Sequence, residues 1–183
     1  MLKLHLGCGQ RQLKGFVHVD INDFDHIDHR HDIKTLPMFE DDSVDEIYSS
    51  HSLEYFDREE VKEVLKEWRR VLKQGGILRL AVPDFEALAK VYEQKKDLNL
   101  LVGPLYGRWP LKDGHVLYHK TTYDFKSLKN VLEEAGFSNM KRWDWREVFV
   151  GDNEGYDDYS QAYIPHMDKD NGQLTSLNIE GQK

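Results

Sequence analysis

Leu2, Leu4 and Leu6 alternate with polar residues at the start of the chain, and Phe16 to Val19 is a second β-rich run that closes on Asp20. Alternation of this kind marks half-buried strands, so two short strands are expected here. Between Gly9 and Phe16 nothing has helical spacing, and the connection can hold only one turn. From Asp57 the period changes: Val61, Val64, Leu65, Trp68, Val71 and Leu72 recur at helical intervals, with Asp57 and Glu60 placed as N-cap and capping-box partner. Gly75-Gly76 ends that helix, Ile77 to Val82 reads as a buried strand stopped by Pro83, and Asp84 can cap a helix with the face Phe85, Leu88, Ala89 and Tyr92. Strands alternating with helices predict a mostly parallel α/β sheet with helices on both faces.

Periodicity then fails. Residues 93–122 contain Gly103-Pro104, Gly107, Pro110 and Gly114, and read as one long loop, a candidate wall on the substrate side. Phe125, Leu128, Val131, Leu132 and Ala135 restore helical spacing, and Gly136 suits the residue after the helix. Trp143 and Trp145 alternate with Arg142, Asp144 and Arg146 as in a half-exposed strand, and Leu177 and Ile179 alternate likewise.

At 183 residues the chain reads as a single domain spanning 1–183, too short for a catalytic unit plus an independent partner-binding one. Its 33 acids and 25 bases leave a net charge of −8, so nucleic acid is not expected as a partner. Cys8 is the only cysteine, no apolar run approaches the length of a membrane span, and no signal peptide is visible, so the expected location is cytoplasmic, without a membrane partner.

The chemistry starts at Lys3-Leu4-His5-Leu6-Gly7-Cys8-Gly9 and ends at Asp20. Glycines after a first strand let backbone approach a ligand, and an acid at the tip of the next can accept from both ribose hydroxyls. A dinucleotide fingerprint asks for a third glycine, a full helix and a later acid. A nicotinamide-dependent oxidoreductase is therefore the weaker reading, and a ligand with a ribose but no diphosphate, such as S-adenosylmethionine, fits better. With Asp32-Ile33, with Phe39 to Phe56 and with Arg70 to Asp84, the segment resembles the class I S-adenosylmethionine-dependent methyltransferases, in particular the small type 11 group, from Leu2 to about Val148.

That resemblance implies a Rossmann-like open sheet with a reduced first crossover helix and an antiparallel terminal hairpin beside the fifth strand. Residues 151–172 would then be an insertion in the hairpin and a candidate lid, carrying Tyr156, Tyr159, Tyr163 and His166. It assigns the cofactor S-adenosylmethionine to Gly7, Cys8, Gly9, Asp20, Ile21, Asp32, Ile33, Ser50 and His51. His119 and Tyr123, with His115 beside them, become candidate catalytic residues, since an imidazole can take a proton near neutral pH. The implied reaction is methyl transfer to a small-molecule acceptor, first of all a hydroxyl of a sugar or polysaccharide precursor; a cofactor-binding protein without catalysis is the alternative. His26, His29 and His31 match no zinc spacing, and no metal is expected. Asp45 reads as structural.

Overall fold

The computed structural model describes residues 1–183. Its strands are β1 (Lys3–Leu6), β2 (Val17–Asp20), β3 (His29–Arg30), β4 (Val44–Ser50), β5 (Leu72–Pro83), β6 (Trp109–Pro110), β7 (Val116–Leu117), β8 (Ser138–Arg142), β9 (Tyr163–Ile164), β10 (Gln173–Leu174) and β11 (Ser176–Gln182). The helices are α1 (Glu60–Val71), α2 (Phe85–Lys95), α3 (Asn99–Tyr106), α4 (Phe125–Glu134) and α5 (Trp145–Val148). Seven strands form one sheet in the order β3-β2-β1-β4-β5-β11-β8, in which only β11 runs antiparallel, to β5 and to β8. The tips of β1, β2 and β4 thus lie side by side, where open α/β sheets hold ligands. No helix is long and apolar enough to cross a membrane.

One face of the sheet carries Leu4, Leu6, Val19, Ile47, Leu78, Leu80, Leu177 and Ile179, packed on Val61, Leu65 and Trp68 of α1 and on Leu128 and Leu132 of α4. Asp57 and Glu60 cap each other as their spacing predicts: the Glu60 amide donates to Asp57 Oδ1 at 2.9 Å and the Asp57 amide to Glu60 Oε2 at 3.0 Å. Asp84 caps α2 one-sidedly, accepting from the amides of Glu86 and Ala87. Asp45 accepts from the Leu2 amide at 2.6 Å and from Lys73 at 2.8 Å, a structural clamp at the strand origins.

The opposite face has no crossover helix between β1 and β2, and what covers it was not visible in the periodicity. The chain from Trp143 to Tyr163 lies there instead. Leu13, Tyr48, Ala81, Trp143 and Phe149 form a second cluster joined by Phe16, Trp145, Val148 and Tyr156. Of the helices expected on this face only the short α5 is present, and Trp145 belongs to it rather than to a strand. The reason is local: the Asp144 side chain accepts from the Arg146 amide at 2.8 Å and starts a helical turn. Further toward the origins of the parallel strands the face is covered by charge. Lys3, Glu46, Arg79, Glu180 and Lys141 alternate in sign across β1, β4, β5, β11 and β8, with Lys3–Glu46 at 2.8 Å, Arg79–Glu180 at 2.8 Å, Lys141–Glu180 at 3.1 Å and Arg79 on Glu46.

One expectation changes here. Residues 93–122 are not one loop: they hold α3, with Pro104 inside it, and the β6–β7 hairpin. The 151–172 insertion is fastened to the sheet, with Tyr48 Oη donating to Asp158 at 2.6 Å, Asn178 Nδ2 to the Ser160 carbonyl at 2.9 Å and the Lys14 amide to Asn153 at 3.0 Å. Ser160 and Gln161 are fully buried, so this stretch substitutes for the missing helix, while Tyr159 stands at the ligand edge with its ring 5.4 Å from that of His51. Amides from Tyr156 to Gln161 are therefore expected to be protected from hydrogen exchange in the free protein, before any ligand is added. Exchange of that stretch at the rate of an unstructured peptide would return the segment to the role of a free lid.

Candidate active site at the strand tips

Gly7 and Gly9 both adopt positive φ, 64° and 54°, which turns the chain sharply off β1. Gly7 is also a point of close approach: a Cβ there would lie 2.3 Å from Ser52 Oγ and 3.2 Å from Ile33 Cδ1. Ser52 Oγ donates to the Gly7 carbonyl at 3.0 Å, tying the segment after β4 to the turn after β1. Asp20, 5% exposed at the tip of β2, accepts from the Gly9 amide through Oδ2 at 2.8 Å and from the Asn22 amide through Oδ1 at 2.8 Å. Oδ2 keeps a lone pair free.

The other cofactor candidates fall around this turn. Cys8 is buried, and burial holds its thiol far above the ordinary range, so it has no nucleophilic form to offer. Ile33 is buried against Gly7, whereas Asp32 and Ile21 are exposed, Asp32 accepting from the Lys34 amide at 2.9 Å. Ser50 Oγ is buried at the end of β4 without a partner. An unpartnered hydroxyl at the end of β4 and a carboxylate with acceptor capacity to spare are groups a nucleoside ligand can satisfy.

Trp109 was not legible as part of this edge. It stands in the β6–β7 hairpin, and its indole lies over Gly9, with Cζ2 3.3 Å from where a Cβ would sit. Lys112 of the same hairpin donates to the Asp23 carbonyl at 3.1 Å, which fixes the hairpin across the strand tips. The only signal for it in the sequence is a tryptophan amid glycines and prolines.

Glu54 is the second residue missed. It is 0% exposed, and neither carboxylate oxygen has a hydrogen-bond partner. Two imidazoles flank it: His51 Nδ1 at 3.5 Å and His119 Nε2 at 3.7 Å from Oε1. Burial raises the Glu54 carboxyl to about 8 and lowers His51 to about 3, and His119 is lowered as well. These contacts are therefore not ion pairs at neutral pH but a box of neutral groups.

The catalytic candidates separate accordingly. His119 holds the Pro104 carbonyl with Nδ1 at 2.9 Å, its ring meets Tyr55 edge-on at 4.7 Å, and Nε2 faces Glu54, so both nitrogens look inward and its geometry is that of a wall of the box. Tyr123 is a core residue, 5% exposed, with its hydroxyl 3.3 Å from Thr121 Oγ1. His115 points into solvent at the hairpin tip, 81% exposed and paired with Asp113 at 3.0 Å, and the structure does not bring it to the box. His51 follows β4 with a left-handed backbone, φ 50°, a conformation it shares with Asp42, Lys96, Asn139 and Met167.

The methyltransferase-domain family model matches residues 10–80, from just after Gly9 into β5. A methyltransferase structure from Archaeoglobus fulgidus superposes with a TM-score of 0.56 at 19% identity, covering 99% of this chain and 85% of that one. One from Thermotoga maritima gives 0.57 at 17% identity, covering 100% and 82%. The 1,6-didemethyltoxoflavin-N1-methyltransferase of Burkholderia thailandensis, determined with 1,6-didemethyltoxoflavin and S-adenosylhomocysteine bound, gives 0.56 at 10% identity, covering 100% and 70%. No curated protein matches the sequence. At these identities the structural likeness establishes the fold, that of the class I S-adenosylmethionine-dependent methyltransferases. The family match over 10–80 lies within that fold and covers the segment from the end of the glycine turn into β5.

Proposed function

We propose that the protein transfers the methyl group of S-adenosylmethionine to a hydroxyl of a small polar acceptor such as a sugar or polysaccharide precursor. The observation that carries the cofactor half is Asp20: a buried carboxylate at the tip of β2, held by the Gly9 amide and with acceptor capacity left for a ribose. Bound S-adenosylmethionine would supply an electrophilic methyl on a sulfonium, so the chain's own task is to position two ligands, exclude water and remove one proton. Gly7 and Gly9 admit backbone contact, Ile33 offers an apolar wall, Ser50 a hydrogen bond, and Trp109 a cover over the turn. The hydroxyl acceptor is supported by the buried carboxyl–imidazole box, which is built to move a proton.

Calorimetry with S-adenosylhomocysteine tests this. Asp20→Ala is expected to weaken binding by about 1.5 to 3 kcal/mol, the loss of hydrogen bonds to a charged group, roughly 10- to 150-fold. Equal affinity in the variant, or no binding by the wild type at high micromolar ligand, would overturn the assignment.

A further inference from the structure

The direction of each hydrogen bond leading to His51 is set by groups that have no choice of role. The Ser160 carbonyl can only accept, so Asn178 presents Nδ2 to it, at 2.9 Å, and turns Oδ1 toward Ser176 at the start of β11. Oδ1 can only accept in its turn, so the one hydroxyl hydrogen of Ser176 goes to it, at 2.9 Å. What Ser176 Oγ then offers His51 Nε2, 3.1 Å away, is a lone pair. Nε2 therefore carries the ring hydrogen. Burial keeps the ring neutral, so its own lone pair is on Nδ1, 3.5 Å from Glu54 Oε1. The Tyr159 carbonyl, next to Ser160 in the chain, also faces this ring and asks the same of it, an N–H. Ser160, Ser176 and Asn178 are all buried, which keeps bulk water from competing for these bonds.

His119 is held by the other nitrogen with the same result. The Pro104 carbonyl can only accept, so Nδ1, at 2.9 Å, carries the hydrogen, and Nε2 turns its lone pair on Glu54 Oε1 at 3.7 Å. Two unprotonated nitrogens thus face one carboxyl. This accounts for the missing donors at Glu54: both of its oxygens are buried without a partner because neither imidazole has a hydrogen left to give.

We propose that Ser176 and Asn178 are positioning residues for this box, fixing His51 as its Nε2–H tautomer so that Nδ1 stands beside Glu54 ready to take up a proton. The proposal rests on the methyl-transfer reading above, in which one proton has to leave the acceptor, and it names what prepares the group that receives it. Without Asn178 the Ser176 hydroxyl is free to rotate and donate to Nε2. The ring hydrogen would then move to Nδ1 and occupy the place of the incoming proton. With Asn178 present, uptake at Nδ1 gives an imidazolium whose Nε2–H keeps Ser176 as its partner, and nothing outside the box has to rearrange. The relay ends on Ser160, so the 151–172 stretch that covers the sheet also sets the protonation of a residue at the strand tips.

Nitrogen-15 NMR of the imidazoles in the full chain at pH 7 reads the tautomers directly. His51 is expected to be protonated at Nε2 alone and His119 at Nδ1 alone. Asn178→Ala should shift part of the His51 population to the Nδ1–H form, seen as movement of the Nδ1 signal toward its protonated position. Ser176→Thr, which keeps the hydroxyl, should leave the wild-type pattern. Glu54→Gln should leave it as well, because an amide can donate or accept and the tautomer is set from β11. The proposal is overturned if wild-type His51 carries its hydrogen on Nδ1 or is charged, if a folded Asn178→Ala keeps the wild-type tautomer, or if Glu54→Gln changes it. The wild-type spectrum decides even where Asn178→Ala does not fold. Failure of the wild type to bind S-adenosylhomocysteine would instead sink the methyl-transfer reading, with the tautomers standing as measured.

Discussion

Glu54→Gln is expected to stabilise the protein by about 3 to 5 kcal/mol at pH 9 and by almost nothing at pH 4, the conversion of its pKa shift at about 1.4 kcal/mol per unit. Glu54 is fully buried, without a hydrogen-bond partner on either oxygen, and its carboxyl is raised from 4.5 to about 8 by desolvation. The sign follows from proton binding. Between pH 4.5 and 8 the folded state keeps a proton that the unfolded state releases, so wild-type stability falls across that window and levels off above it. Glutamine keeps the shape and has no charge to desolvate. His51, lowered to about 3, contributes stability that is present above pH 6.5 and lost toward pH 3, but it does so in both proteins and cancels in the difference. Denaturant unfolding of the two proteins across pH 4 to 9 measures the gap. A gap that does not widen with pH, or a variant less stable at pH 9, would mean that Glu54 is solvated or paired in solution. The same variant should lose turnover, since residues buried against their chemistry commonly trade stability for activity.

Glu54 also shows where the sequence stops being readable. Within Ser52-Leu53-Glu54-Tyr55 nothing local says that the acid is buried. One wall of its burial is His119, itself held by the Pro104 carbonyl of α3, and both come from far along the chain. The β1–turn–β2 unit, α1, α2 and α4 were legible because each is decided by local signals, alternation, helical spacing and caps; the stop of α1 was not, because the helix ends at Val71 and Gly75-Gly76 lies within β5. Trp145 was misread because aromatic alternation was weighed above Asp144 and Glu147, which stand at N-cap and capping-box positions of a helix. His5 was unreadable for a different reason. As a polar residue between Leu4 and Leu6 it marks an outward face, yet the structure buries it completely under Tyr48 and Tyr156, because a distant segment replaces the missing helix. Cofactor residues lie at strand ends and inherit that local legibility; acceptor and proton-handling residues come from segments that meet only in the fold.

Trp68 joins the core to the cofactor edge, and its substitution should reveal the link. It is fully buried at the centre of the α1 face, and its indole Nε1 donates to the Ile33 carbonyl at 2.8 Å. Ile33 in turn packs toward Gly7, the first residue of the glycine turn. Trp68→Ala removes a large core side chain and leaves a buried carbonyl unpartnered, a loss of about 3 to 5 kcal/mol. That is a large share of the roughly 5 to 15 kcal/mol available to a domain. Trp68→Phe keeps most of the packing and removes the donor, so it should cost about 1 to 2 kcal/mol in stability and also weaken S-adenosylhomocysteine, because the Ile33 wall is no longer held. Leu65→Ala, on the same helix and equally buried, supplies the contrast: a cavity-sized stability loss with ligand affinity unchanged. Thermal unfolding and calorimetry on the three variants separate the two effects. If Trp68→Phe binds S-adenosylhomocysteine as tightly as the wild type, the hydrogen bond to Ile33 serves the core alone, and Ile33 is held against Gly7 without help from α1.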